Sequence, residues 1–338
     1  MLISENFCIK PFTTFGVEVR AQQFIVVSSI DDLFELFEEG FLKTKPRMVL
    51  GRGSNILFTD HYNGLILSCQ IRGKKVVKET DDYILLKVNS GEYWPSLVDE
   101  MVEKGFWGME NLCLIPGKVG AAPIQNIGAY GVEVKDVIES LEAFDMNTGK
   151  LRVFNKKECD FGYRSSIFKT KERGTYFIVS VTFRLSKKPR LNLSYAPLKE
   201  IFKGREEKGI TIKEVSETIK QIRNKKLPDP DLLKNAGSFF KNPVIEKEIA
   251  DKLKQKYPDM PYYPQTGNKV KLAAGWLIEQ CGWKGKRTGD VGVYEKQALI
   301  LVNYDNASGK EILQFSKKIN ASVIKRFGIS LEREVIVI

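Results

Sequence analysis

Short apolar runs separated by glycine-bearing turns fill the first two hundred residues. The runs at 24–27, 48–50, 64–68, 84–88 and 176–184 are rich in Val, Ile, Phe and Tyr and read as strands. Two helical patterns interrupt them. One spans 31–37 with Leu33, Phe34, Leu36 and Phe37; the other spans 94–104 with Leu97, Val98, Met101 and Val102, and is stopped by Gly105. The pattern predicts an α+β fold with more strand than helix.

Beyond about residue 205 the spacing changes. Ile212, Val215, Ile219 and Ile222 recur every three or four positions, an amphipathic helix that Pro228 and Pro230 bring to an end. Further helices are expected at 245–257 and 272–281, with an apolar strand at 298–302. Ser308 and Glu311 form a capping box for a last helix with Ile312, Phe315, Ile319 and Val323 on its buried stripe, closed by Gly328. The tail 329–338 then reads as a strand that sets Glu332 and Glu334 on one face, opposite Leu331, Arg333 and Val335. The expected division is an α+β module over 1–205, a smaller α/β module over 206–328, and the tail 329–338 packing back on the first.

Composition narrows the chemistry. The single histidine, His61, lies in a polar stretch and leaves little room for His-based metal sites or a Ser-His-Asp relay. Proton transfer is left to Ser, Tyr, Cys, Lys, Asp or Glu. The five cysteines are widely spaced without a Cys-x-x-Cys pair, which predicts free thiols in a reducing compartment. No apolar stretch is long enough to cross a membrane and no signal peptide is visible at the start, so a cytoplasmic protein is expected. The net charge of +11 is spread over short basic clusters, which suits nucleic acid or small anionic ligands.

Two glycine-rich stretches and three polar positions stand out. Gly51-Arg-Gly53-Ser54-Asn55 follows an apolar strand; it is neither a Walker loop nor a dinucleotide fingerprint, and a plain tight turn is an equal alternative. From Pro116 to Gly131, four glycines and two prolines fall within sixteen residues, beside the amides Gln125 and Asn126. So irregular a segment either wraps a ligand, with backbone N–H groups suited to a pyrophosphate, or links two domains. Arg164, between Tyr163 and two serines, offers a fork for a carboxylate or an enolate, or else a structural stack on Tyr163. Ser238, ahead of Phe239 and Phe240, is a hydroxyl fixed by packing or a helix cap. Glu334, with Glu332 as its rival, is a carboxylate in an apolar strand.

Thr13-Thr-Phe-Gly-Val17, Leu50-Gly-Arg-Gly-Ser-Asn55, the segment 114–131, Tyr163-Arg-Ser-Ser-Ile-Phe-Lys169, Lys226-Leu-Pro-Asp-Pro230, the segment 235–243, Leu272-Ala-Ala-Gly-Trp-Leu-Ile278 and Gln297-Ala-Leu stand in one order along the chain. Together, over residues 10–335, they resemble the UDP-N-acetylenolpyruvoylglucosamine reductases, flavoenzymes of bacterial peptidoglycan precursor synthesis. Tyr195-Ala-Pro-Leu198 and the helical stretch 244–265 resemble the longer type, which keeps a tyrosine loop. The resemblance implies an FAD-binding domain of the vanillyl-alcohol-oxidase (PCMH) type plus a smaller UDP-sugar-binding domain. It implies non-covalent FAD and hydride transfer from NADPH, by way of the flavin, to the methylene carbon of UDP-N-acetylglucosamine enolpyruvate, giving UDP-N-acetylmuramate. Carried over by motif, Arg164 and Glu334 hold the substrate carboxylate and Ser238 delivers a proton to the alpha carbon. Gly51, Gly53, Ser54, Asn55, Pro116, Gly117, Gly120, Gln125, Asn126 and Gly128 match flavin-binding positions. Tyr195, Arg223, Lys226, Asn242, Tyr263 and Gln297 match substrate positions.

Three departures mark this chain. Arg52 stands where the family often has glycine, Ala121-Ala122 replaces a pair that often contains serine, and Arg333 replaces a common proline. The glutamate before Val335 is the family's position, which selects Glu334 over Glu332. A monomer without metal, nucleic acid or membrane insertion is expected. Rival readings are an oxidase of the same fold, for which the loop histidine is badly placed to attach flavin, and a nucleotide- or nucleic-acid-binding module without catalysis.

Overall fold

The computed structural model describes residues 2–206 and 209–338. They form two compact units, each discontinuous in sequence. The first comprises the residues up to Phe7, Ala21–Arg52 and Asn63–Arg223; the second comprises Cys8–Arg20, Gly53–Tyr62 and Asn224–Ile338.

The first unit holds two sheets. In one, the strands run in the order Ile3–Cys8, Arg20–Val27, Tyr62–Cys69, Arg47–Leu50, the last two parallel with Met48 opposite Ile66. Helix Ile30–Glu38, capped by the Ser29 hydroxyl and the Asp32 carboxylate, buries Leu33 and Leu36 against Ile25, Val27, Leu65 and Leu67. The second sheet is antiparallel, in the order Lys150–Asn155, Ile138–Asp145, Tyr176–Ser186, Tyr83–Asn89, Lys74–Glu79. Helix Trp94–Glu103 buries Trp94, Leu97, Val98, Met101 and Val102 in the core of this sheet, and the Trp94 indole N–H donates to the Leu112 carbonyl at 2.9 Å. Each such aliphatic side chain contributes about 1.5–3 kcal/mol when fully buried.

Helix Ile212–Lys226 lies in the same core through Ile212, Val215 and Ile219. This shifts the expected boundary after residue 205 to Arg223/Asn224, inside that helix. The physical reason is the apolar stripe itself, which has its partners in Trp94, Val98 and their neighbours.

In the second unit an antiparallel sheet runs Lys234–Ser238, Ile300–Asn303, Val291–Val293, Arg287–Thr288. A three-stranded sheet joins Val244–Glu246, Lys269–Leu272 and Tyr262–Gln265. The helices are Lys247–Lys256, Ala274–Gln280 and Gly309–Phe327. The first two begin later than the sequence suggests because Val244–Glu246 and Lys269–Leu272 are strands. The last matches it closely: Ser308 and Glu311 make the capping box, and Gly328 ends the helix in the left-handed conformation at φ 70°.

The tail departs from the ten-residue strand expected. Only Ile336–Val337 is strand, paired parallel with Ile56–Leu57 of the same unit, and Arg333 makes a single bridge to Phe240. The Asn320 carboxamide oxygen accepts the Leu331 N–H at 2.7 Å, drawing the chain off the ladder. The tail thus packs back on residues of the 1–205 stretch, as expected, and those residues, 53–62, lie with it in the second unit. The mixed α+β class holds in both units.

Among the described residues, no helix is long and apolar enough to cross a membrane. The five thiols are free, with Cys69, Cys113 and Cys159 buried. His61 is exposed, its Nδ1 accepting the Arg20 N–H at 3.1 Å.

Candidate active site

The 114–131 segment is a succession of turns anchored in the first unit's core by Val119, Ala122 and Ile127. Three non-glycine residues in it, Leu114, Asn126 and Tyr130, adopt positive φ of 54°, 46° and 51°. Such conformations persist where the surroundings over-determine them, and they collect at functional sites. Asn126 is fully buried. Its amide nitrogen donates to the Glu133 carboxylate at 3.0 Å and the Gly162 carbonyl at 2.9 Å, and its oxygen accepts the Lys135 N–H at 3.1 Å. At this expected flavin-binding position the side chain is thus committed to the protein, and the Asn126 N–H donates to the Pro123 carbonyl at 3.2 Å. Gly120 is forced by packing, since a Cβ there would sit 2.5 Å from the Ser90 Cβ. Pro116 and Gln125 are half-buried and Gly117 is buried.

Arg164 lies on this segment. Its guanidinium donates to the Gly128 carbonyl at 2.7 Å, and a Cβ on Gly128 would meet Nη1 at 3.0 Å. The residue itself is left-handed at φ 53°, inside a Gly162–Ser165 turn, with Lys169 Nζ donating to its carbonyl at 3.1 Å. The Ser166 hydroxyl donates to the Ile124 carbonyl at 2.7 Å and ties the turn down. The guanidinium also stands 5.3 Å from the Tyr163 ring centre, so the structural stack exists as well.

Tyr195 and Arg223 meet the same segment. Arg223 donates to the Leu114 carbonyl at 3.1 Å. Tyr195 sets its ring edge-on to Tyr130 at 5.0 Å. Burial pushes the Tyr130 hydroxyl up to about 12, with Arg223 opposing the shift. Tyr130 therefore stays a neutral donor between the two expected substrate residues. Sequence reading passed it over, because nothing in Gly128-Ala-Tyr130-Gly131 separates a buried hydroxyl from a turn tyrosine. Gly51 packs there too: a Cβ on it would lie 3.6 Å from the Ala121 Cβ and 3.8 Å from the Lys118 Cβ.

In the second unit Ser238 ends strand Lys234–Ser238, opposite Ile300, so it is a strand residue and not a helix cap. The turn before it is set by Gly237 at φ 69° and by Asn235, 3% exposed. The Asn235 oxygen accepts the Gly237 N–H at 2.9 Å, and its amide donates to the Leu233 carbonyl at 2.8 Å. Phe239 and Phe240, both buried, hold the following residues.

Glu334 runs alongside. Its N–H donates to the Phe239 carbonyl at 2.8 Å, and its carbonyl accepts the Asn55 amide at 3.3 Å. Asn55, Glu334 and the residue after Ser238 are thus bound to one another. Glu332 pairs with Lys241, its side chain 73% exposed, whereas Glu334 is half-buried. Gly53, at φ 59°, is required because a Cβ would fall 2.4 Å from the Phe12 carbonyl oxygen; Ser54 beside it is half-buried.

The remaining expected substrate residues are less gathered. The Asn242 oxygen accepts the Ala274 N–H at 3.0 Å, at the start of helix Ala274–Gln280. Gln297 faces the same helix start, where a Cβ on Gly275 would lie 2.9 Å from Oε1. Tyr263 is 50% exposed on strand Tyr262–Gln265, and Lys226 is exposed at the end of its helix.

The family model of an FAD-binding domain matches residues 21–155, and that of the C-terminal domain of UDP-N-acetylenolpyruvoylglucosamine reductase matches residues 229–338. A curated UDP-N-acetylenolpyruvoylglucosamine reductase of Flavobacterium johnsoniae is 44% identical over 340 residues and is covered, like this chain, in full. One of Pseudomonas syringae pv. syringae is 46% identical, with 98% of each chain covered. Among solved structures, the Thermus caldophilus UDP-N-acetylenolpyruvylglucosamine reductase superposes with a TM-score of 0.70 at 24% identity, covering 99% of this chain and 98% of its own. The chain carries an FAD-binding domain and belongs to the UDP-N-acetylenolpyruvoylglucosamine reductases, a family of FAD-dependent oxidoreductases.

Proposed function

We propose that this protein reduces UDP-N-acetylglucosamine enolpyruvate to UDP-N-acetylmuramate, a precursor for cell-wall peptidoglycan, using NADPH in the cytoplasm. The observation that carries the reading is full-length likeness at 44–46% identity to reductases named for this substrate. The chain's residues fit the cofactor: Gly51 and Ala121 leave room for a ligand between them, and Arg52 and Lys118 add positive charge. FAD, when bound, supplies the two-electron chemistry that links NADPH to the vinyl carbon.

The protein's own part is to bind the carboxylate and to deliver a proton. Hydride addition at the methylene leaves negative charge on the alpha carbon, delocalised into the carboxylate as an enolate, and such charge calls for preorganised donors. Arg164 supplies the positive fork, with its guanidinium aimed by the Gly128 carbonyl. Ser238 holds the proton for the alpha carbon. An alcohol is a weak acid, but an enolate is a strong base, and the Asn235–Gly237 turn fixes the main chain that carries the hydroxyl. Glu334, whose main chain is bonded to the residue after Ser238, completes the carboxylate site. Tyr195, Arg223, Lys226, Asn242, Tyr263 and Gln297 bind the UDP-sugar. A monomer is sufficient for all of these roles.

The test is spectroscopic. Purified protein should be yellow, bleach on anaerobic addition of NADPH, and regain its colour with UDP-N-acetylglucosamine enolpyruvate. A colourless protein that takes up no flavin overturns the proposal, as does a bleached protein that the enolpyruvyl substrate does not reoxidise.

A further inference from the structure

Lys118 is half-buried in the 114–131 segment and gives one proton to the Cys69 carbonyl. Among the described residues no carboxylate pairs with it. Its main chain bridges to Tyr93, and the Arg52 guanidinium lies 5.0 Å from the Tyr93 ring centre. Arg72, three residues beyond Cys69, is exposed and bears on the same ammonium. Burial pulls the Lys118 ammonium below the usual lysine range; Cys69 opposes this, and Arg72 and Arg52 add repulsion. The neighbouring carboxylate, Glu92, already accepts the Gly73 N–H at 2.8 Å. Three cations thus stand near the spot where the side-chain-free Gly51 faces Lys118 and Ala121, with room there for a Cβ at ordinary contact distance.

A half-buried ammonium with two further cations beside it is costly unless an anion joins it. The anion must be compact, carry more than one charge and approach a glycine backbone closely, which describes a diphosphate. We propose that Lys118, flanked by Arg52 and Arg72, is the diphosphate anchor for FAD in this chain. The inference rests on the flavoprotein reading above. Lys118 keeps two ammonium protons for the phosphate oxygens, and the two arginines steer and screen.

The full chain, stripped of flavin, is titrated with FAD and with riboflavin, which lacks phosphate, following quenching of flavin fluorescence. Lys118→Met keeps most of the aliphatic stem. It should weaken FAD binding about tenfold to a hundredfold while riboflavin binding moves less than about twofold, since a charge-assisted hydrogen bond is lost only for the phosphorylated ligand. Lys118→Arg should retain most of the affinity. The exposed Arg72→Gln, which leaves the fold intact, should weaken FAD several-fold and flatten the salt dependence of its binding.

Equal loss of FAD and riboflavin in Lys118→Met would show a structural residue and overturn the proposal. So would unchanged FAD affinity in both Lys118→Met and Arg72→Gln, or a loss confined to NADPH. In those cases the wild type still binds FAD and the flavoprotein reading stands. A wild type that binds no flavin brings down both.

Discussion

In the first unit Arg164 sits on irregular chain, and side chains hold it there: Asn126 spans Glu133, Lys135 and Gly162, and Ser166 reaches Ile124. In the second, Ser238 ends a strand and Glu334 sits in the extended tail beside it, and main-chain bonds hold them: Ser238 lies opposite Ile300, and Glu334 binds the Phe239 carbonyl. Both arrangements place a buried asparagine beside a left-handed residue, Asn126 with Arg164 and Asn235 with Gly237. Around Arg164 a buried amide takes up the Gly162 carbonyl and the Lys135 N–H; a ladder satisfies its own main chain and needs an amide only where it turns.

Substitutions can break this comparison at several depths. Ser238→Ala should leave flavin bleaching by NADPH nearly intact and slow reoxidation by the enolpyruvyl substrate by about 10²–10⁴-fold, the usual worth of a positioned proton donor. Stopped-flow absorbance checks it, and equal slowing of both steps would remove Ser238 from the proton path. Arg164→Ala should slow the same step by about 10²–10³-fold, as expected for one lost charge-stabilising donor; an unchanged rate would reduce Arg164 to its stack on Tyr163.

The supporting amides come next. Asn126→Ala and Asn235→Ala should each cost about 2–4 kcal/mol in denaturant unfolding, because several buried groups lose partners at once. If Asn235→Ala proves neutral, the strand alone fixes the turn before Ser238. Gly120→Ala should cost about 1–3 kcal/mol through overlap with Ser90. The smallest effect belongs to Glu332→Gln, which breaks only an exposed pair with Lys241 and should change stability by less than about 1 kcal/mol. Glu334→Gln should by contrast slow reoxidation; if Glu332→Gln is the variant that does so, the choice between the two glutamates is reversed.

Legibility in the sequence followed the same divide. The last helix could be read outright, because Ser308, Glu311 and Gly328 are local signals and Ile312, Phe315 and Ile319 repeat at helical spacing. Strand Tyr176–Ser186 was legible because it is buried almost throughout. Strand Lys74–Glu79 was not, since all six of its residues are exposed at a sheet edge. The helix 212–226 was found but assigned to the wrong module, because periodicity shows that a face is buried and not what covers it.

At the site, glycine density marked the 114–131 segment, and three of its non-glycine residues are left-handed there. Tyr130 and Lys118 escaped notice, since burial of a hydroxyl or of an ammonium leaves no trace in composition. The tail misled because period two continued on paper where Asn320 draws the real chain aside.

The pairing of Ile336–Val337 with Ile56–Leu57 also sets an order of events. Residues 63–223 leave the ribosome as one uninterrupted stretch and can condense early. The turn carrying Ser54 and Asn55, made long before, gains its strand partner only after a further hundred or so residues, roughly ten seconds later at ordinary elongation rates. Until then that segment is a loose end awaiting a distant closure, and a nascent chain cut short before 336 would carry the turn without its clamp.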